Sequence, residues 1–291
     1  MRVLLIGARG QLGRDCAEIF AGEDLHRADR EGEYLRLDLA DATSVREVLG
    51  TLKPDIVVNT AAAHNVPACE EMPDTAFAVN ASGVYQLAKS CAEHGARLLH
   101  ISTDYVFGDG HASPLREDDL PAPLNVYGAS KLAGEHLALA YCRDALVVRT
   151  AALYGAAPCL AKGGMNFVRL MLHLAATRPE IRVVTDEITT PTHTLALARQ
   201  LRVLAEKGKP GLYHATCQGA CSWHEFARTI FEKTGTTANL LPATSADFPS
   251  PVRRPRYSVL ENAHLRAQGL DIMPAWQDAL DDYLRQVKSA S

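Results

Sequence analysis

Arg2-Val3-Leu4-Leu5-Ile6-Gly7-Ala8-Arg9-Gly10-Gln11-Leu12-Gly13 is the stretch on which the fold turns. Arg2 to Ile6 is a short apolar run of β type, and helical periodicity then continues through Phe20. Between them stand Gly7, Gly10 and Gly13, whose spacing lets the chain turn sharply, brings backbone close to a pyrophosphate, and packs helix tightly on strand. The helix N-terminus adds N–H groups and the positive end of a dipole. Three spaced glycines are a weak signal alone. Their position after an N-terminal strand and at the opening of a helix favours a dinucleotide site over a purely structural turn.

Working outward, further β-type runs occur at Asp55 to Asn59, Arg97 to Ser102 and Ala145 to Arg149. Helix-like segments separate them at about Thr43 to Leu52, Asp74 to His94 and Val126 to Tyr141. This alternation predicts an α/β fold with a Rossmann-like, doubly wound parallel sheet. After Arg149 the rhythm changes to a Gly/Ala-rich loop (Tyr154 to Gly164), a helix to about Thr177, a strand near Arg182 to Val184 and a helix from Thr192 to Glu206. Phe248 to Tyr257 is rich in proline and arginine, which favours an extended segment. The expected organisation is an NAD(P)-binding domain over 1–155 plus roughly 185–212. A smaller C-terminal α/β substrate-binding lobe, roughly 156–184 and 213–291, would close over the C-terminal ends of the strands. No internal repeat is visible.

The 291 residues suffice for one large domain or two modest ones, and a net charge of −4 offers no general attraction for nucleic acid or anionic lipid. No apolar run approaches the roughly 20 residues of a membrane span. Met1 to Ile6 enters the glycine turn directly, without the apolar core or cleavage site of a signal peptide, so a cytoplasmic protein is expected. The seven cysteines, odd in number and mostly single within apolar stretches, fit reduced core thiols.

Three places carry chemistry. Asp29 or Arg30 follows the second apolar run, Leu25 to Ala28. An acid there suits the ribose hydroxyls of NAD and an arginine the extra phosphate of NADP, so both cofactors stay open. Asp38, in the Leu-Asp-Leu run, is a candidate for the adenine end or a solvated carboxylate opening the next helix. Tyr127 and Lys131, at i and i+4, share one helix face. A nearby ammonium favours the phenolate, which makes the pair a general acid for a carbonyl receiving hydride. Ser102-Thr103-Asp104 directly follows an apolar strand, where an open α/β sheet places its ligand site, and a hydroxyl there can hydrogen-bond a substrate oxygen.

With these motifs in order, the chain resembles the extended short-chain dehydrogenase/reductase superfamily and, within it, the dTDP-4-dehydrorhamnose reductase family. The resemblance covers nearly the whole length. It is carried by Gly7-x-x-Gly10-Gln11-Leu12-Gly13, Pro54 to Asn59, Ser102-Thr103-Asp104-Tyr105-Val106-Phe107, Tyr127-Gly128-Ala129-Ser130-Lys131-Leu132-Ala133-Gly134-Glu135 and Arg149-Thr150. In the second half Asn166-Phe167-Val168, Val184-Thr185-Asp186, Ser222-Trp223-His224-Glu225 and Arg254-Pro255-Arg256-Tyr257 agree too.

The resemblance implies that Tyr127 is the general acid, that Lys131 lowers its pKa and holds the nicotinamide ribose, and that Thr103 hydrogen-bonds the ketone. Gly7, Gly10, Gln11, Leu12 and Gly13 would hold the pyrophosphate. Arg30, Asp38, Leu39 and Ala61, Ala62 and Ala63 would line the adenosine side, with Ser102 also at the cofactor. Thr103, Asp104, Tyr127, Ala152 and Arg254 would meet a dTDP-linked 4-keto-6-deoxy sugar. The implied reaction uses NADPH or NADH to reduce dTDP-4-dehydro-L-rhamnose to dTDP-L-rhamnose for cell-envelope polysaccharide. A homodimer is compatible with this reading.

Two departures stand out. Family members typically read Arg-Thr-Ser-Trp-x-Tyr-Gly where this chain has Arg149-Thr150-Ala151-Ala152-Leu153-Tyr154-Gly155, so an indole becomes the methyl of Ala152 and the pocket should be wider. Where Val-Asp-Lys-Ala-Glu is common, Val66-Pro67-Ala68-Cys69-Glu70 loses an acid and a lysine. The same family resembles the regulatory β subunit of methionine adenosyltransferase, so a non-catalytic nucleotide-binding subunit is one alternative. Another sugar-nucleotide epimerase or reductase is a second. His214, Cys217, Cys221 and His224 have zinc-type side chains at spacing unlike a finger, and no metal is expected. Arg253-Arg254-Pro255-Arg256 suits a diphosphate, with a solvated surface run as the alternative.

Overall fold

A computed structural model describes residues 1–159 and 163–289; residues 160–162 of the Gly/Ala-rich loop and the last two residues of the expected lobe lie outside the described residues. The first half alternates β1 (Arg2–Ile6), α1 (Gln11–Ile19), β2 (Asp24–Asp29), β3 (Leu35–Arg36), α2 (Ala42–Leu52), β4 (Ile56–Asn59), α3 (Val66–Glu71), α4 (Pro73–Phe77), α5 (Gly83–His94), β5 (Arg97–Thr103), α6 (Val126–Tyr141) and β6 (Ala145–Thr150). The second half contains β7 (Leu153–Tyr154), α7 (Phe167–Thr177), β8 (Ile181–Val184), β9 (Ile188–Thr189), β10 (Thr192–His193), α8 (Thr194–Lys207) and β11 (Gly211–His214). It ends with β12 (Cys221–Ser222), α9 (Trp223–Thr234), β13 (Leu240–Ala243), α10 (Ala263–Ala267) and α11 (Trp276–Ser289).

Among the described residues the main sheet has seven strands in the order β11-β6-β5-β4-β1-β2-β3, and its pairs are parallel. The doubly wound sheet anticipated from the alternation is therefore present. A parallel sheet is covered on both faces, which is why its strands read as unbroken apolar runs. Val3, Leu5, Val58, Leu99, Ile101, Leu146 and Val148 face one core, shared with residues of α1 and α8. Leu4, Ile6, Val57, Leu98 and Val147 face the other, shared with α2 and α5. The chain moves outward from β1 to β3 and then restarts on the other side at β4. That reversal opens a crevice at the strand C-termini between β1 and β4.

Three short strand pairs, β7 with β10, β9 with β12 and β8 with β13, stand apart from the main sheet. Around Phe226 of α9, the rings of Tyr154, Phe167 and Trp276 pack at 5.4–5.7 Å. β11 joins the main sheet beside β6, so the expected boundary at 212 falls inside a strand. The segment expected as one helix from Asp74 to His94 is instead α4 and α5 joined by a π-helical turn, Ala78–Ser82. At its end a Cβ on Gly83 would stand 2.4 Å from Leu39 O, so the chain passes the loop after β3 too closely for any side chain. The helix expected from Thr192 begins at Thr194, because Thr192 and His193 pair with β7. No described helix is long and apolar enough to cross a membrane.

Candidate active site

A cleft of about 910 Å³ follows the crevice from Asp29 to Trp223 and is lined by both halves of the chain. At its start Gly7 has φ +81°, and a Cβ there would stand 2.7 Å from Ala61 N. A Cβ on Gly13 would reach Gly7 O at 2.1 Å, so only glycine lets α1 lie this close to the turn. Gly10 caps α1, and its N–H donates to Gly7 O at 3.0 Å. First-turn N–H groups have no acceptor within their own helix, so those of Gln11 and Leu12 suit an anion at the cleft. The Gln11 side chain turns away: its Nε2 donates to Gly155 O at 2.9 Å and Ala157 O at 2.7 Å.

At the adenosine end Asp29 closes the glycine turn, since its Oδ2 accepts from Arg9 N–H at 3.1 Å and its Oδ1 from Arg30 N–H at 2.9 Å. Both carboxylate oxygens are thus engaged. The side chain of Arg30 is exposed and pairs with Glu31, and Arg36 lines an adjoining hollow with residues 29–32. Asp38 and Leu39 line the cleft, and Asp38 Oδ1 accepts from Ala40 N–H at 2.9 Å. Ala61, Ala62 and Ala63 form the facing wall. Asn80, in the π-helical turn, fixes that wall by accepting from Ala63 N–H and donating to Ala63 O, each at 2.9 Å.

The structure brings Tyr127, Thr103 and Lys131 together at the end of β5. Asn125 caps α6 by accepting from Gly128 N–H at 2.9 Å, and Glu70 Oε2 accepts from Val126 N–H at 3.0 Å. Two neighbouring elements thereby set the first turn of α6, where Tyr127 sits. Burial pushes the Tyr127 phenol up from its ordinary value, against a hydrogen bond with Thr103. Thr103 Oγ1 donates to Asp104 Oδ1 at 3.0 Å and accepts from Tyr105 N–H at 3.2 Å. Burial pushes Asp104 up to about 6, opposed by hydrogen bonds from Ser258 and Thr103. Lys131 is buried and turned inward, with Nζ donating to Ile101 O at 2.6 Å.

Ser102 lines the cleft, but its hydroxyl is committed to Glu135 Oε1 at 2.5 Å. Glu135 is in turn paired with Arg149 at 2.7 Å, both almost wholly buried. Phe107 covers the guanidinium at 5.0 Å. This ion pair ties α6 to β6 behind the reacting groups.

At the far end Ala152 lines the cleft in a left-handed conformation, φ 45°. Phe167 and Trp223, ring centroids 4.7 Å apart, stand beside it with Glu187. Burial raises Glu187, and the charge of Arg254 opposes this. In the arginine run Arg254 is half-buried near Glu187 and Tyr105. Arg253 is instead exposed and pairs with Asp109 at 3.5 Å, and Arg256 is exposed as well. His214 is buried against Leu115 O at 3.1 Å, while His224 lies in α9. Among the described residues no group of His, Cys, Asp and Glu could hold a metal ion.

The family model described as RmlD substrate binding domain matches residues 1–289. The chain belongs to the RmlD family. One curated relative, the spore coat polysaccharide biosynthesis protein SpsK of Bacillus subtilis, is 40% identical over 99% of both chains. The dTDP-4-dehydrorhamnose reductase of Streptomyces griseus is 38% identical over 97% of this chain and 92% of that one. A crystal structure of dTDP-4-dehydrorhamnose reductase from Bacillus anthracis in complex with NADP superimposes with a TM-score of 0.91 at 36% identity, covering 98% of this chain and 99% of that one. The resemblance read from the motifs is thus borne out by an RmlD match along the chain.

Residue spacing gives no role to Glu70, Asn80, Asn59 or His100, although Glu70 and Asn80 hydrogen-bond backbone beside the cleft and Asn59 meets His100 inside the sheet. A faint signal exists for the last two, since a polar residue inside a buried apolar strand needs a partner.

Proposed function

We propose that the protein uses NADPH or NADH to reduce the 4-keto group of a nucleotide-linked 6-deoxy sugar, with dTDP-4-dehydro-L-rhamnose as substrate and dTDP-L-rhamnose as product. The observation that carries this reading is Tyr127, Thr103 and Lys131 lining together the cleft that the glycine turn opens. The backbone fits a dinucleotide: the space that a Cβ on Gly7 or Gly13 would fill is occupied by neighbouring backbone, and the first turn of α1 presents its N–H groups. The bound cofactor supplies the hydride. Tyr127 holds its proton in the resting site because burial disfavours the phenolate, so it begins as an acid able to protonate the developing alkoxide. Thr103 positions the ketone oxygen beside that hydroxyl, and Lys131 engages the nicotinamide ribose.

For the substrate, Phe167 and Trp223, tilted 47° to one another, give aromatic surface for the base, and Arg254 a guanidinium for the diphosphate. The methyl of Ala152 leaves room at the sugar. We assign the cofactor to residues 1–155 with roughly 185–212, and the substrate chiefly to the remainder. Asp29 spends both oxygens on the turn while Arg9, Arg30 and Arg36 surround it, which favours the extra phosphate of NADPH. The work of the cytoplasm, supplying a sugar for envelope polysaccharide, agrees with the role carried in the name of SpsK.

The test is a panel of dTDP-, GDP- and UDP-linked 4-keto sugars with each cofactor, read as loss of reduced-nicotinamide absorbance. Turnover of a dTDP-4-keto-6-deoxy sugar is expected, faster with NADPH. No turnover of any member, together with co-purification of a synthetase, would move the protein to the regulatory class. Cofactor that stays bound through purification would move it to the epimerases.

A further inference from the structure

Two polar side chains stand inside the sheet where its strands are otherwise apolar. Asn59 ends β4, His100 lies within β5, and neither has exposed surface. Their hydrogen bonds run as a chain with a fixed direction. Ala61 N–H, in the loop lining the cofactor end of the cleft, donates to Asn59 Oδ1 at 3.2 Å. That bond orients the amide, so Nδ2 faces His100 Nδ1 at 3.0 Å and donates to it. A neutral imidazole whose Nδ1 accepts carries its proton on Nε2. Burial holds His100 well below its ordinary value and therefore neutral, and any charge on Lys131 would lower it further. Nε2 thus aims an N–H at Lys131 Nζ, 3.4 Å away.

An ammonium has donors only and would meet this N–H donor to donor. A neutral amine satisfies both neighbours: its lone pair accepts from Nε2–H while its own N–H donates to Ile101 O at 2.6 Å. Burial lowers Lys131 to about 8 despite the opposing charge of Glu135. Glu135 is already engaged by Arg149 of β6 and by Ser102 of β5. The remaining titratable groups near this turn of α6 are Tyr127 on the helix itself, Asp104 and Tyr105 after β5, and Cys69 and Glu70 on α3. Of these, Asp104 and Cys69 act on Tyr127, and Glu70 is bound to Val126 N–H.

We propose that His100 is a positioning residue that favours a retracted, uncharged amine at Lys131 in the ligand-free protein in mildly alkaline solution, and that Lys131 there takes up one solvent proton when the nicotinamide cofactor fills the cleft. The proposal rests on the reading of the cleft as a dinucleotide site with Lys131 at the ribose. Its consequence is order. In that range the cation that favours the tyrosinate comes into being beside Tyr127 mainly in the loaded site, so Tyr127 keeps its proton until then.

Proton uptake is counted by titrating the protein with NADH, which lacks the titratable phosphate of NADPH, in buffers of different ionisation enthalpy. Wild type is expected to take up roughly half a proton or more at about pH 8.5 and almost none at about pH 6.5. His100→Leu removes the Nε2–H and should lower the uptake at least twofold, whereas His100→Gln, which can place an N–H in the same position, should retain it. A packing role alone would weaken binding or stability in the leucine variant and leave the proton count unchanged. Equal uptake in wild type and a folded leucine variant, or none in wild type, overturns the proposal. If the leucine variant does not fold, nitrogen-15 NMR of the ligand-free wild type decides: the neutral Nε2–H tautomer supports the inference, and Nδ1–H or imidazolium overturns it. A failed keto-sugar panel with intact NADH-coupled uptake would remove the proposed reaction and leave this inference standing.

Discussion

At the residue scale the site rests on where single protons sit. Burial pushes Tyr127 up and so keeps its proton on the phenol, and in the proposed reaction that hydroxyl is the donor to the ketone oxygen. Tyr127→Phe keeps the ring and removes that proton. It should lower kcat by about a hundredfold or more with cofactor affinity nearly unchanged, as separate turnover and NADPH-binding measurements would check. Equal turnover would take the acid role from Tyr127. The cofactor choice is also a residue-scale matter: Arg30→Ala should weaken NADPH binding by about tenfold and leave NADH binding almost unchanged, because only one ligand carries the extra phosphate. The placement was largely legible, since residue type and spacing mark Gly7, Tyr127, Lys131 and Thr103 as candidates and the fold brings all four to one cleft. Asn59, His100 and Asn80 were not, because each acts through a partner 17 to 50 positions away and single-sequence spacing carries no such pairing.

At the scale of elements, α6 is the part whose placement matters most, and its first turn is held from two sides. Asn125 accepts from Gly128 N–H, while its Nδ2 donates to Arg253 O at 2.9 Å, joining the start of α6 to the extended arginine segment. Asn125→Ala removes both bonds and should cost about 1 kcal/mol of stability. Asn125→Asp retains the capping acceptor and should recover most of it, as urea midpoints would show. Turnover should fall in both variants, since the link to Arg253 is lost in each, and a kcat unchanged in both would show that the link has no part in placing Tyr127. The strands and most helices of the first half were readable because apolar runs and turns alternate cleanly. The π-helical turn at Ala78–Ser82 was not, because a single extra residue per turn leaves the apolar periodicity of the segment almost unchanged.

At the scale of the whole molecule, α1, α8 and α11 meet around one buried acid. Asp15 of α1 is 4% exposed and lies near Thr194 of α8 and Gln286 of α11, and its Oδ2 has no hydrogen-bond partner. Gln286 Oε1 also meets His193 Nε2 at 3.2 Å. Burial pushes Asp15 up to about 6, so its charge in the folded state is a cost. A carboxyl raised on folding adds stability below its unfolded value, near 4, and that contribution is lost as pH rises through its folded value. Asp15→Asn removes the charge and should stabilise the protein by about 2 kcal/mol at pH 7, a gain that shrinks below pH 6 and disappears near pH 4. Urea unfolding of both proteins across that range measures the difference directly, because His100, His193 and His214, buried in a neutral state, lose stability with acid equally in each. A gain that persisted undiminished at the acid end would have to come from packing of the amide, and the junction of α1, α8 and α11 would then owe nothing to the charge of Asp15.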